Sequence, residues 1–134
     1  MTTPFGPQLI GETEKTLNAL LRRFLRDSGL TEPEWVVLRI SESPHRELGA
    51  AALVQAVADR AHFPDAADLV DELTGRGLLA DGRPTDTGRA VLADVKASIA
   101  TTTAPIWEGL PTQDVEAATR VLNEVVARAR AVLA

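Results

Sequence analysis

The sequence predicts an almost entirely α-helical chain with one very short β-hairpin. Apolar residues recur at three- and four-residue intervals along most of the 134 residues, which is the period of helices with one buried face. Asp81-Gly82 interrupts this pattern, and the pair tolerates the positive φ angles of a two-residue hairpin turn. Together these observations predict six helices, with the hairpin between the fourth and the fifth.

The first two helices are separated by Gly29. The first covers about residues 7 to 28, and its arginines lie near the C-terminal end, where the helix dipole favours positive charge. Thr31 and Glu34 form a capping box, in which each residue satisfies a backbone N–H of the other. The capping box predicts a second helix that continues to about residue 42.

The third and fourth helices flank a predicted turn at His62-Phe63. The third, over residues 46 to 61, is rich in alanine, and small side chains let two helices approach closely. The fourth is predicted to begin at Pro64, because proline has no N–H to leave unpaired in a first helical turn. We expect Phe63 to fill the core between these two helices.

The hairpin is predicted from two short segments on either side of its turn. Leu78-Leu79-Ala80 precedes Asp81-Gly82, and Arg83-Pro84-Thr85 follows it. Proline cannot donate to a ladder, so Pro84 confines its strand to an edge. The result is a very short β-ribbon.

The last two helices are predicted to meet near Pro105. Thr85 or Asp86 caps a fifth helix over about residues 86 to 104, which Pro105 is expected to break or kink. Thr112 is expected to cap a sixth helix with a heptad seam, the pattern of a helix that packs on another helix. The seam residues are Val115, Ala118, Leu122, Val125, Ala129 and Val132.

The order of helix, short ribbon and helix is that of the end of a winged helix-turn-helix. Three stretches resemble the MarR family of small, dimeric bacterial transcription regulators. They are LTEPEWVVL at residues 30–38, LVDELTGRGLL at residues 69–79 and TDTGRAVL at residues 85–92. Their order and spacing make the resemblance fairly specific, and it extends over most of the chain.

The resemblance implies that residues 1–134 form a single MarR-like domain. The winged helix-turn-helix would occupy residues 30–89, and the helices in residues 7–28 and 90–134 would join two copies as a homodimer. The apolar stripes at both ends favour the same arrangement, because the central module offers them no obvious place to be buried. A helical bundle within one chain satisfies the same pattern and is the alternative.

The resemblance also implies a DNA-binding transcription regulator, whose fourth helix enters the major groove while the hairpin lies alongside. The predicted DNA-binding residues are Arg46, Arg60, Pro64, Asp65, Asp68 and Arg83. Arg76 and Arg89 are further candidates for phosphate contacts and would equally serve as ion-pair residues of the surface. The alternative function is that of a homologue impaired in DNA binding, which acts as a ligand sensor or a protein-interaction antagonist.

The distribution of charge favours this alternative. The formal net charge is −5, and residues 47–89 contain eight acidic and four basic residues. Carboxylates on the fourth helix repel phosphate, and a carboxylate reads a base only by accepting from cytosine N4. The acidic excess therefore lies in the region where DNA is expected.

The resemblance further implies a site for a small aromatic ligand where the terminal helices meet the central module. Large apolar walls with one or two positive groups would suit an apolar anion. The predicted lining residues are Phe24, Trp35, Leu38, Arg39 and Trp107. The alternative is that the aromatic residues simply fill a seam of the core.

Composition weighs against several other classes of function. The chain has no cysteine, which excludes disulfide frameworks, thiol redox sensing and zinc fingers. His45 and His62 lie on different connectors, and no nucleophile with a neighbouring base is visible, so we predict no metal, cofactor or enzymatic activity. The N-terminus lacks the features of a signal peptide, and no segment approaches the roughly 20 apolar residues of a membrane span. We expect a cytoplasmic protein.

Overall fold

The structure is a computed structural model that describes residues 2–43 and 49–134. This part of the chain contains six α-helices and a two-stranded antiparallel hairpin, which confirms the predicted fold class. The elements are α1 Pro7–Leu25, α2 Glu32–Ser41, α3 Ala50–Ala61, α4 Ala66–Gly75, β1 Leu79–Ala80, β2 Arg83–Pro84, α5 Asp86–Trp107 and α6 Thr112–Leu133. The chain divides into two compact units, Met1–Ala100 and Thr101–Ala134.

Helix α1 ends at Leu25, three residues before the predicted end. A turn follows it, and the Ser28 hydroxyl closes this turn by donating to the Leu25 carbonyl at 2.7 Å. The same hydroxyl accepts from the Leu30 N–H at 3.2 Å. The Ser28 hydroxyl thus competes for backbone hydrogen bonds that would otherwise continue the helix. It therefore favours a turn at this point of the chain.

Helix α2 contributes the largest group of side chains to the core of the first unit. It begins with the predicted capping box, in which the Glu34 N–H donates to the Thr31 hydroxyl at 3.3 Å and the Thr31 N–H donates to the Glu34 carboxylate at 2.8 Å. The core of this unit consists of Leu25, Leu30, Trp35, Val37, Leu38, Ile40, Leu53, Val57, Ala66, Val70, Leu73, Leu78, Leu79, Leu92 and Val95.

Helices α3 and α4 are joined by a tight turn, as predicted. His62 ends α3 in the left-handed conformation with φ of 58°. Phe63 is half-buried and packs against the core, which confirms its expected role. Pro64 lies in the turn and α4 begins at Ala66, so the predicted start of α4 was two residues too early. The predicted start of α3, at residues 46–48, lies outside the described residues.

The hairpin is as short as its sequence predicts. Asp81 and Gly82 form the turn with φ of 50° and 74°, the two positive values expected of this pair. The Gly49 N–H donates to the Asp81 carbonyl at 3.0 Å, and a Cβ on Gly82 would lie 2.4 Å from the Gly49 carbonyl oxygen. The turn therefore packs on the chain just before α3.

The first turn of α5 packs closely on the end of the hairpin. The Gly88 N–H donates to the Thr85 hydroxyl at 3.0 Å, which makes Thr85 the capping residue. A Cβ on Gly88 would lie 2.2 Å from the Leu78 carbonyl oxygen. Glycine at this position therefore lets α5 begin directly against Leu78, the residue that precedes β1.

Helix α5 continues through Pro105 to Trp107, so the predicted end near residue 104 was wrong. Pro105 has no N–H to donate to the carbonyl four residues earlier, and its ring crowds that carbonyl, but only Ile106 and Trp107 follow it in the helix. The Glu108 N–H donates to the Ala104 carbonyl at 2.8 Å and closes the last turn.

Helix α6 has no buried residue along its length. Thr112 is its first residue rather than its cap, because Pro111 holds the capping position and no side chain accepts from the free N–H groups. The expectation that Thr112 caps the helix was therefore wrong. The seam residues Val115, Leu122, Val125 and Val132 are all exposed.

Candidate nucleic-acid interface

Helix α4 has an apolar inner face and an acidic outer face. Ala66, Val70 and Leu73 are buried in the core. The exposed residues from its start through its third turn are Asp65, Ala67, Asp68, Asp71, Glu72 and Thr74. None of the four carboxylates has a hydrogen-bond or ion-pair partner within residues 2–43 and 49–134. The outer face of α4 is therefore a solvent-facing surface of negative charge.

An ion pair holds the C-terminal end of α4 against the start of α2. The Arg76 guanidinium donates to the Glu34 carboxylate at 3.2 Å and to the Gly29 carbonyl at 3.0 Å. Glu34 is only 7% exposed, and the other oxygen of its carboxylate completes the capping box with Thr31. Arg76 thus serves as an ion-pair residue that positions α4, one of the two roles expected from the sequence.

The two arginines beside the hairpin also contact the protein itself. The half-buried Arg83 donates to the Ser43 carbonyl at 3.0 Å. Arg89 donates to the Pro84 carbonyl at 2.9 Å and pairs with the Asp86 carboxylate. Both guanidinium groups therefore stabilise the hairpin and its junctions with the neighbouring chain.

Arg60 differs from these arginines in its contacts with the rest of the described chain. It lies exposed in the last turn of α3, and its guanidinium has no hydrogen-bond or ion-pair partner in the described part of the chain. Arg46, the other predicted phosphate contact on this side, lies outside the described residues. Arg60 is therefore the arginine between residues 49 and 89 that is available to a phosphate.

The remaining predicted DNA-binding residues gather at the beginning of α4. Pro64 and Asp65 form the turn before the helix, and Asp68 lies in its first turn. All three are exposed. The structure therefore brings the predicted residues Pro64, Asp65 and Asp68 to one end of α4, and their contact with DNA stays a prediction.

The residues of the predicted ligand site have different surroundings. Trp35 and Leu38 are buried in the core, and the Arg39 guanidinium lies 5.9 Å from the centre of the Trp35 ring. Phe24 is half-buried in the first unit, whereas Trp107 belongs to the second unit and is exposed. Trp35 and Leu38 are therefore part of the core, and a ligand site formed by these five residues stays a prediction.

A separate cavity of about 350 Å³ lies between the end of α1 and α5. It is lined by Phe24, Asp27, Ser28, Val91, Asp94, Val95 and Ser98. Sequence reasoning missed all of these except Phe24. Asp27 and Asp94 are far apart along the chain and carry no local motif, so only the packing of α1 beside α5 brings them together.

Every helix in residues 2–43 and 49–134 is too short or too polar to span a bilayer. In the same part of the chain, no group of three or more histidine or carboxylate side chains is placed to hold a metal ion.

Comparison with known proteins agrees with the geometry. A family model described as a helix-turn-helix family matches residues 23–134. A MarR-family transcriptional regulator from Rhodococcus sp. RHA1 has a similar structure, with a TM-score of 0.70, 22% identity and coverage of 88% of this chain and 90% of that chain. A protein of unknown function from Listeria innocua Clip11262 gives a TM-score of 0.63, 18% identity and coverage of 89% and 88%. No curated protein sequence matches the chain.

The order of elements places the α3–α4 pair directly before the hairpin and α5, which is the arrangement of a winged helix-turn-helix. The fold is the MarR-like one that the sequence motifs predicted. With the family model matching residues 23–134, most of its length, the chain belongs to this helix-turn-helix family.

Proposed function

We propose that the protein is a MarR-like DNA-binding transcription regulator that acts as a homodimer. The observation that carries the proposal is the position of α4, whose apolar face is buried while its outer face is exposed directly after the α3–α4 turn. The second helix of a helix-turn-helix is the one that enters the major groove. Family membership and the likeness to a regulator of the MarR family support the same function and point away from an enzyme.

The exposed seam of α6 supports the homodimer. Its residues Val115, Leu122, Val125 and Val132 are between 40% and 85% exposed. A heptad seam is buried when it packs on another helix, and a contiguous apolar surface of this kind marks an interaction site. We infer that residues 1–134 form a single MarR-like domain. The helices in residues 7–28 and 90–134 would join two copies of this domain. The two α4 helices would then enter successive major grooves of one duplex.

Charge sets the expected strength of DNA binding. The proposed contacts are those predicted from the sequence. Among the described arginines of this set, Arg60 is the one without a hydrogen-bond or ion-pair partner in residues 2–43 and 49–134. Each neutralised phosphate contributes a slope of about −0.9 to the dependence of log affinity on log salt. Only a few such phosphate contacts are available, and the carboxylates of α4 oppose them. We therefore expect weak non-specific DNA binding that is lost at moderate salt.

Retention of mixed genomic DNA fragments by the purified protein at low and at moderate salt tests the proposal. We expect retention at low salt that fades as salt rises, because phosphate contacts release counterions. Fragments retained last as salt rises would then supply the operator sequence. A protein that retains no fragment at low salt, while remaining folded by circular dichroism, would contradict the proposal.

The acidic face of α4 favours a second function. Four exposed carboxylates without partners in the described chain would repel DNA and attract the basic face of another protein. The chain would then be a homologue impaired in DNA binding, which acts as a protein-interaction antagonist or a ligand sensor. The absence of DNA retention at low salt is the result that this second function predicts. A regulator that binds DNA must reach the chromosome, so we propose on the basis of the first function that the protein is cytoplasmic.

A further inference from the structure

We propose that the basic outer face of α1 docks on the acidic outer face of α4 in a second copy of the chain. The contact itself does not depend on the proposed function. Its consequence, that self-association covers α4 and competes with DNA, rests on that function.

Helix α1 carries a basic stripe on the side away from its apolar residues. At 3.6 residues per turn, the four members of the stripe lie within about 100° of one another around the helix axis. The half-buried Leu17 and Phe24 lie on the opposite side of the helix. The basic stripe consists of Lys15, Arg22, Arg23 and Arg26.

Every side chain of the basic stripe is exposed, and none has a hydrogen-bond or ion-pair partner in residues 2–43 and 49–134. The helix dipole favours positive charge in the last turn, which accounts for Arg22 and Arg23. It does not account for Lys15, which lies about two turns before Arg22. The stripe is therefore a positive surface that the described residues leave open to another molecule.

The acidic face of α4 is the complementary surface on the same chain. Its four carboxylates recur at three- and four-residue intervals, so they lie within about 120° around the axis of α4. They extend over about 10 Å of that axis, and the three arginines of the stripe extend over about 6 Å of α1. A guanidinium binds a carboxylate through two parallel hydrogen bonds, so the two faces match in charge, geometry and length. The acidic face consists of Asp65, Asp68, Asp71 and Glu72.

A second copy is the partner that these charges select. One contact between α1 of one copy and α4 of another would neutralise both faces, whereas DNA would be attracted by the first face and repelled by the second. Such a contact is heterologous, because it joins two different surfaces. The first copy keeps an open α4 and the second keeps an open α1, so association continues as concentration rises. The contact is thus distinct from the proposed dimer, whose seam on α6 is apolar.

Sedimentation velocity of the full chain at low and at moderate salt tests the inference. We expect the average mass to rise with protein concentration at low salt. This rise should disappear at moderate salt, because salt screens exposed ion pairs. A dimer formed through the apolar seam of α6 does not depend on ion pairs and should persist in both conditions.

Charge reversal identifies the two faces. Arg22→Glu with Arg26→Glu makes both faces acidic, and Asp68→Lys with Asp71→Lys makes both faces basic. Each reversed protein alone should lose at least about tenfold in the salt-sensitive association constant, because like charges then meet. An equimolar mixture of the two reversed proteins should regain the association, because each protein then meets a face of opposite charge.

The matched control is Arg120→Glu with Arg130→Glu, which makes the same change in charge on α6, outside its heptad seam. It should associate as the unmodified protein does. Circular dichroism establishes that each variant is folded before its mass is measured. If the α1 reversal does not fold, Arg22→Gln with Arg26→Gln takes its place and should weaken the association in the same direction.

Three results would each overturn the inference. They are a mass of the unmodified protein that does not change with salt, a rise in mass that survives in both reversed proteins, and a mixture that does not regain the rise. Loss of DNA retention on reversal of Arg22 and Arg26, without self-association of the unmodified protein, would assign the stripe to DNA instead.

DNA retention by the same preparations, below the concentration at which the mass begins to rise, separates this inference from the proposed function. Retention without salt-sensitive self-association would overturn the inference and leave the proposed function intact. Self-association without retention at low salt would support the inference and contradict the proposed function.

Discussion

Helices α4 and α6 both present a long face to solvent, but the two faces have opposite chemistry. On α4 the apolar side is buried within one chain and the exposed side carries carboxylates. On α6 the apolar seam itself is exposed and no residue is buried. Burial of apolar surface is worth about 25 cal/mol per Å², so α6 gains from a second helix while α4 is already packed. We infer that the apolar face of α6 packs on a second chain and that the acidic face of α4 meets a different, charged kind of partner.

The largest expected effect follows from changing the seam of α6. Replacing Leu122 and Val125 together by glutamate would place charge in a surface that the proposed dimer removes from water. We expect dimer affinity to fall by about 100-fold or more, because burying unpaired charges costs several kcal/mol. Sedimentation equilibrium measures the change in mass.

Ala127→Glu is the matched control for the seam variant. It introduces the same carboxylate into an exposed position of α6 that lies away from the heptad seam. The control should remain dimeric. A dimeric double variant, or an unmodified protein that is monomeric at every concentration, would remove the proposed dimer.

The second prediction concerns the ion pair that positions α4. Arg76→Ala should lower the free energy of unfolding by about 2–3 kcal/mol, because it leaves the Glu34 carboxylate buried without its guanidinium partner. The side chains of this pair are 35% and 10% exposed. Urea unfolding followed by circular dichroism measures the loss.

The control for this variant is Arg89→Ala. Arg89 and Asp86 form an ion pair whose side chains are 60% and 98% exposed. Exposed pairs are worth little, and we expect a loss of less than about 1 kcal/mol. Equal losses in the two variants would show that the Arg76 contact does not hold α4.

The third prediction separates two arginines that look equivalent in sequence. Arg60→Ala should weaken DNA binding about fivefold and reduce the salt slope by about one, because it removes one phosphate contact. Arg83→Ala should weaken DNA binding as well, but chiefly by destabilising the hairpin by about 1 kcal/mol through the lost bond to Ser43. Fluorescence anisotropy with a labelled duplex, together with urea unfolding, distinguishes the two effects. Reversed roles for Arg60 and Arg83 would contradict this assignment.

Local chemistry made much of the fold predictable. Thr31 and Glu34 form the capping box by themselves, and Asp81-Gly82 form the hairpin turn by themselves, so short stretches of sequence were sufficient. The end of α5 was less predictable. Pro105 costs the helix one backbone hydrogen-bond donor, but the helix nevertheless continues to Trp107. Local rules identify elements better than they identify where these elements end.

The surroundings of the candidate site depended on contacts between distant residues. Arg76 bonds to Glu34 across 42 positions, and Arg83 bonds to Ser43 across 40, so neither partner could be identified from spacing. The acidic character of α4 was visible in the sequence, but the cavity lined by Asp27 and Asp94 was not. Burial and pairing, which decide how a charge acts, are properties of the packed chain.

We propose that α4 contacts DNA and that its carboxylates weaken this contact. The most direct test is the affinity for a retained DNA fragment when α4 carries Asp68→Asn, Asp71→Asn and Glu72→Gln together. The control carries Glu108→Gln, Asp114→Asn and Glu116→Gln, which remove the same number of charges from the second unit. We predict that the α4 variant binds about tenfold more tightly at low salt and that the control changes far less. An unchanged or lower affinity for the α4 variant, or an equal gain in the control, would contradict the claim.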